Sequence, residues 1–283
     1  MPQSLHHSFA VAKSRIMFGV CIFFTLIILA LLFAVTGYLV SIGIHSLSWN
    51  FFHLDPIPTG MSGAPGGMRN ALVGTGILIA TASVIGIPIG LLAGVYLSEY
   101  DAGSRLATPV RFVADVLAGV PSIVVGILGY ELVVRPIGNY NGWAGALALA
   151  FIMVPIITRT TEEMLRLVPN SYREASIALG ATKASTILRV IVPTATGSVV
   201  TGVMLAIARV AGETAPLLFT ALGSRLLTTN LNQPFPSLTV QIFTYATGPY
   251  QSQRSLAWAG ILVLIALIFA MNLAIRFATR PNK

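Results

Sequence analysis

Six stretches of this chain, near 16–44, 71–97, 110–133, 143–161, 194–212 and 255–277, are apolar over lengths that a soluble fold does not bury one after another. About 20 consecutive apolar residues carry an α-helix across a bilayer. Within lipid, only helices and closed barrels satisfy all their own backbone polar groups. The expected fold is all-α, an integral membrane protein of about six transmembrane helices. Charged residues make up only 9% of the chain, against roughly 25% in soluble domains. The first stretch is about twice as long as a signal-peptide apolar region, and no clear cleavage site follows it. It is expected to remain as a membrane helix.

A net charge of +8 invites a nucleic-acid reading, which the placement of the charges excludes. With the N-terminus inside, the inner segments hold Lys13, Arg15, Arg105, Arg111, Arg159, Arg166, Arg173, Lys183, Arg189, Arg276, Arg280 and Lys283. The outer segments hold Arg69, Arg135, Arg225 and Arg254. Basic residues concentrate on the cytoplasmic side of membrane proteins, so both termini and the 170–193 segment are expected there. The organisation expected is a cytoplasmic leader at 1–15, one transmembrane domain at 16–279, and a cytoplasmic tail at 280–283. No soluble domain and no tandem repeat interrupts it.

Several chemistries lack their residues. Cys21 is the single cysteine, so an intrachain disulfide is impossible. The histidines, His6, His7, His45 and His53, have no metal-ligand spacing, and no metal or cofactor is expected on this chain. Gly197 and Gly202 have the spacing of a nucleotide-binding loop, but Val203 and Met204 stand where Lys and Ser or Thr are needed. The chain is not expected to be an enzyme or to hydrolyse ATP.

Small residues recur at helical spacing. Gly86, Gly90 and Gly94 form one stripe, and Gly119, Ser122, Gly126 and Gly129 another. Such stripes let helices approach closely, either within the chain or at a sliding partner interface. Pro88 and Pro121 are expected to kink their helices. The loop around 54–68 is too rich in Pro and Gly for regular structure, while SLTVQIFTYA from Ser237 reads as a short interfacial helix.

The polar segment 170–193, NSYREASIALGATKASTILRVIVP, reads as two short helices around Gly180. Ser171 and Glu174 have capping-box spacing, Gly180 supplies a left-handed helix end, and Pro193 can open the next helix. A structured helix-turn-helix on a membrane face suits docking better than catalysis.

One charged pair stands in an apolar setting: Arg209 and Glu213, in AIARVAGETAPLLF, at or near the outer end of the fifth span. Four residues apart, they share a helix face. An arginine in the bilayer must face protein or water. Its fork of donors suits a tetrahedral oxyanion, Glu213 can hold that fork, and Thr214 adds a hydroxyl. A self-satisfied structural ion pair remains open. Glu131 and Asp115 are weaker candidates, beside Arg135 or Arg111.

Glu174, Ala175 and Gly180, closed by Val190, Ile191, Val192 and Pro193, resemble the cytoplasmic loop of ABC importer permeases. Ser176 stands where the family usually has Ala. More narrowly, NALVGTG at 70–76, PIGLLAGVYLSEY at 88–100, LAGVPSIVVGILG at 117–129 and ARVAGETAPLLFTA at 208–221 resemble phosphate-importing permeases of the PstA type. The resemblance covers about 70–258 and implies a type I ABC importer permease fold in a bacterial or archaeal cytoplasmic membrane. It implies a heterodimer with a second permease, two ATPase subunits that use ATP and Mg, and an external phosphate-binding protein. It assigns Glu174, Ala175, Gly180 and Pro193, in the loop that Ser171 opens, to ATPase coupling, and raises Arg209, with Glu213 in support and Thr214 beside them, as candidates for the substrate path. A permease for sulfate or molybdate, and a scaffold or channel without an ATPase, are the alternatives.

Overall fold

The computed structural model describes residues 2–56, 66–100 and 106–278. In chain order its helices are α1 (Pro2–Ser46), α2 (Asn50–His53), α3 (Arg69–Glu99), α4 (Ala107–Gly119), α5 (Ser122–Gly129), α6 (Arg135–Ile137), α7 (Gly142–Arg166), α8 (Asn170–Ala178), α9 (Lys183–Thr186), α10 (Val192–Ala211), α11 (Ala215–Thr220), α12 (Leu238–Ala246) and α13 (Gln251–Ala278). Among the described residues five continuous helical stretches are long and apolar enough to cross a membrane, and counting the bent pair at 107–137 as one span makes six. The leader expected at 1–15 continues α1 from Pro2 onward. The tail at 280–283 and most of the loop around 54–68 lie outside the described residues.

The third stretch bends at Pro121, where a kink is expected, but as a full break in the helix. α4 and the 122–137 helix meet at 105° across Val120 and Pro121. Val120 is extended, and Pro121 has no N–H with which to continue the ladder. Pro88, by contrast, sits inside an unbroken α3. Two single π-helical turns, Tyr130–Val134 and Ile187–Ile191, stand just before Pro136 and Pro193. Each lets the hydrogen-bond register slip where a proline approaches. Pro193 therefore lies within one continuous helical run from Lys183 to Ala211 rather than opening a separate helix.

The core is the α3–α7 seam. A Cβ on Gly90 would stand 2.7 Å from Ile157 Cβ, and one on Gly94 would stand 2.5 Å from Thr161 Cβ. The first glycine stripe thus packs within the chain, with Leu149, Met153 and Ile157 buried in the seam. The second stripe divides at the bend. Gly126 and Gly129 face Pro216 and Thr220 of α11, whereas Gly119 meets nothing. α1 stands largely apart, touching α13 where Tyr38 meets Trp258 edge to face at 6.0 Å.

A leucine at Gly90 cannot enter the seam without displacing α7. Gly90→Leu is expected to cost at least about 1–3 kcal/mol, read as an earlier midpoint in detergent unfolding. Gly37→Leu, where a Cβ meets no atom within 4 Å, is expected to leave the midpoint unchanged.

Candidate functional site

The 170–193 segment forms a platform at the end of the bundle where α3 and α7 finish, the end expected in the cytoplasm. α8 ends in a Schellman turn: Gly180 N–H donates to the Ile177 carbonyl at 2.9 Å and Ala181 N–H to the Ser176 carbonyl at 3.2 Å. Gly180 has φ +83°, the left-handed conformation this closure requires. The start of α8 differs from the sequence expectation. Ser171 is not a helix cap, because the helix begins one residue earlier, at Asn170 behind extended Pro169. Ser171 and Glu174 are exposed within the first turns, and the capping box does not form. Ala175, Ile177 and Leu179 are exposed too, with Leu179 at 89%. Thr182 caps α9 by accepting from Ser185 N–H at 3.3 Å.

Two residues that the sequence reading passed over hold this platform in place. Arg173 donates to both oxygens of Glu99, at 2.7 and 3.1 Å, and also to the Val168 and Leu165 carbonyls. The Glu99 side chain is 6% exposed and terminates α3. Its hydrogen bonds hold the Arg173 guanidinium above its ordinary range, against the opposing effect of burial. Lys183 adds a cation–π contact, 4.5 Å from the centre of the Tyr100 ring.

A second ionic centre joins α4 to α7. Glu162, 2% exposed, accepts from Arg111 at 2.8 Å and pairs with Arg166 at 3.0 Å and Arg159 at 3.4 Å. Asp115 pairs with Arg159 at 2.5 Å, not with Arg111 as the sequence suggested. Glu131 does pair with Arg135, at 2.6 Å.

Arg209 belongs to a different setting. α10 runs antiparallel to α7, with Gly202 against Thr160. That register brings Arg209 to the level of Ile152, roughly 15 Å of helix rise below the outer end of α7. The pair therefore sits at the C-terminal end of its helix but deep in the bundle, because α10 stops short and α11 carries the chain on to the start of α7, where Asn141 N–H donates to the Thr220 carbonyl. A cavity of about 270 Å³ opens there, walled by Leu117 and Val120, Ser122, Phe151 and Ile156, and Leu205. Among the described residues, Arg209 is the one charged residue lining it. The break at Val120–Pro121 contributes Val120 to its wall, and a second break, 212–214, begins three residues after Arg209.

The pair is loose. Arg209 Nη2 lies 3.9 Å from Glu213 Oε1, and the Arg209 side chain is 56% exposed. Glu213 has left the helix, so the shared helical face expected for the two is only approximate. Its carbonyl accepts from Thr239 Oγ1 at 2.8 Å, which pins the break to α12. Thr214 is half-buried within the same break. The structure thus brings Arg209, Glu213 and Thr214 together and leaves the guanidinium fork unoccupied by any hydrogen bond among the described residues.

Comparison with known proteins adds to this geometry. The family described as "Binding-protein-dependent transport system inner membrane component" matches residues 86–280. A phosphate transport system permease protein PstA of Haemophilus influenzae is 40% identical, covering 99% of each chain. PstA of Yersinia pestis is 44% identical over 85% of this chain and 81% of its own. A probable PstA of Methanocaldococcus jannaschii is 36% identical over 77% of each. The inward-facing MetNI methionine ABC transporter shares the fold, with a TM-score of 0.59 at 20% identity over 75% of this chain and 92% of its own.

Arg173→Ala removes the partner of a nearly buried carboxylate. It is expected to speed amide exchange across 170–178 by about tenfold or more, the scale of a partly buried ion pair. Unchanged exchange would show that α8 is held by other contacts.

Proposed function

The chain belongs to the binding-protein-dependent transport system inner membrane components, and within them to the PstA permeases; from that membership we propose that it forms half of the translocation pathway of an ATP-driven inorganic phosphate importer. The observation that carries the reading is its end-to-end likeness to PstA. The chain is a transport subunit of an ABC importer, and ATP is hydrolysed by separate subunits. The proposed assembly pairs it with a second permease, two ATPase subunits using ATP and Mg, and an extracytoplasmic phosphate-binding protein. The single transmembrane domain, 16–279, has both termini in the cytoplasm.

In this mechanism, a loaded binding protein docks outside and ATP closes the ATPase pair. The platform at 170–193, with Ser171, Glu174, Ala175, Gly180 and Pro193, carries that movement into the helices. Its exposed apolar residues, Tyr172, Ile177 and Leu179, favour a partner seated over it. Phosphate then passes the Arg209 cavity and leaves inward.

Arg209 suits the anion for three reasons. It is the charged wall of the cavity, its donors are free, and the N-terminus of α5 at Ser122 borders the same space with a positive dipole end. Glu213 sits close enough to moderate the field without quenching it, which guards against binding too tight for release. Thr214 supplies a hydroxyl nearby. No cofactor on this chain has a part.

Arg209→Ala is expected to abolish phosphate uptake while the complex still assembles; normal uptake by an assembled variant would remove Arg209 from the path. Competition of labelled phosphate uptake by sulfate and molybdate tests the substrate. Replacing Glu174, or Gly180 by a β-branched residue, is expected to uncouple ATP hydrolysis from transport. Intact ATPase association and coupling in both variants would overturn the docking assignment.

A further inference from the structure

Apart from the Arg209 cavity, a second cavity of about 160 Å³ lies beside the start of α12. Ser237, 1% exposed, and Gln241, 8% exposed, both line it. Ser237 Oγ and Gln241 Nε2 are buried atoms without a hydrogen-bond partner. Buried polar atoms are rarely left unpaired, so two beside one cavity call for a partner that the chain does not supply.

The neighbours fix which way Gln241 faces. Asn70, fully buried, donates one amide hydrogen to the Ser224 carbonyl at 2.7 Å and the other to Gln241 Oε1 at 3.2 Å. A backbone carbonyl only accepts, so Asn70 cannot be turned over, and Gln241 Oε1 must be the accepting atom. Gln241 Nε2 then faces the cavity without a partner at hydrogen-bond distance, and its nearest polar neighbour there is the Tyr245 hydroxyl on the same wall. Arg225, exposed, lines the same cavity, and no acidic side chain among the described residues does.

Two buried donor groups with a guanidinium and no carboxylate make a site for a small, acceptor-rich anion. A metal cation would find no anionic ligand there. Leu238 N–H donates to Thr75 Oγ1 at 2.8 Å, which ties the start of α12 to the outer turns of α3. Between Ser237 and Gln241, Thr239 holds the Glu213 carbonyl beside Arg209. One short helix thus borders the outer cavity and braces the deeper one.

The geometry points to an outer oxyanion site in which Gln241 Nε2, Ser237 Oγ and Arg225 hold inorganic phosphate before it reaches Arg209. This inference rests on the phosphate-importer reading and deepens it: the path has two anion stations in this chain. The outer one combines neutral buried donors with an exposed guanidinium, and the deeper one relies on the charge of Arg209. A phosphate that has left its carrier thereby meets hydrogen-bond donors before it meets the full field of Arg209.

The test is equilibrium binding of radiolabelled inorganic phosphate to the assembled, nucleotide-free transporter in nanodiscs. Gln241→Glu keeps the side chain's size but replaces the amide donors with a negative oxygen. It is expected to weaken one class of sites by tenfold or more and to spare the class that Arg209→Ala removes. Arg225→Ala, a surface change that leaves packing intact, is expected to weaken the same outer class severalfold. The outer site is overturned if both variants bind phosphate like the unaltered transporter. It is also overturned if Gln241→Glu impairs only capture of the external binding protein, which would make the cavity a socket for an acidic side chain. Absence of the Arg209-dependent class alone would count against the proposed path and leave the outer site standing.

Discussion

A backbone that leaves helical geometry inside lipid must be covered by protein or must border water, since nothing else there satisfies its N–H and C=O groups. Among the described residues this chain does so at Val120–Pro121, which lines the cavity that holds Arg209, and at 212–214, three residues beyond Arg209. The break at Val120–Pro121 shapes the cavity, and the cavity permits the arginine, because a guanidinium at this depth needs an aqueous or protein-lined surround. The short return helix α11 closes the arrangement by packing its Pro216 and Thr220 on the small faces of Gly126 and Gly129.

Elsewhere in the bundle two carboxylates gather the charges of several helices. Glu162 gathers Arg111, Arg159 and Arg166 at the junction of α4 and α7, and Glu99 holds Arg173 at the foot of α3. With α8 as the docking platform, these pairs complete a contiguous route of contacts. It runs from α8 through Glu99 to α3, across the glycine seam to α7, and through Glu162 to α4, whose far end is the bend at Pro121. Every link is a direct contact between neighbouring elements. Arg209, by contrast, is paired only at 3.9 Å and open to the cavity.

Much of this was legible from sequence because it is periodic or compositional. The six apolar stretches, the glycine stripe at 86, 90 and 94, the left-handed end at Gly180 and the short helix after Ser237 all follow from local rules. What escaped depends on contacts between residues far apart in the chain. Glu99 and Arg173 are 74 residues apart and Arg111 and Glu162 are 51 apart, so no local pattern links them. Concentration of these charges at inner helix ends was the one available signal. The capping box at Ser171 failed because Pro169 already turned the chain and started the helix a residue early. The depth of Arg209 was hidden because α10 stops within the bundle, a consequence of packing that helix periodicity does not report.

The central claim is that the space bounded by the Val120–Pro121 break and Arg209 carries phosphate. Its most direct test places a cysteine on the cavity wall, Ser122→Cys, in a transporter from which Cys21 has been removed by Cys21→Ser. Modification by a membrane-impermeant thiol reagent is then followed with and without inorganic phosphate. The account predicts that phosphate slows modification when Arg209 is present and has no effect after Arg209→Ala. Equal protection with and without Arg209, or a Ser122→Cys thiol that no reagent reaches in any nucleotide state, would contradict it.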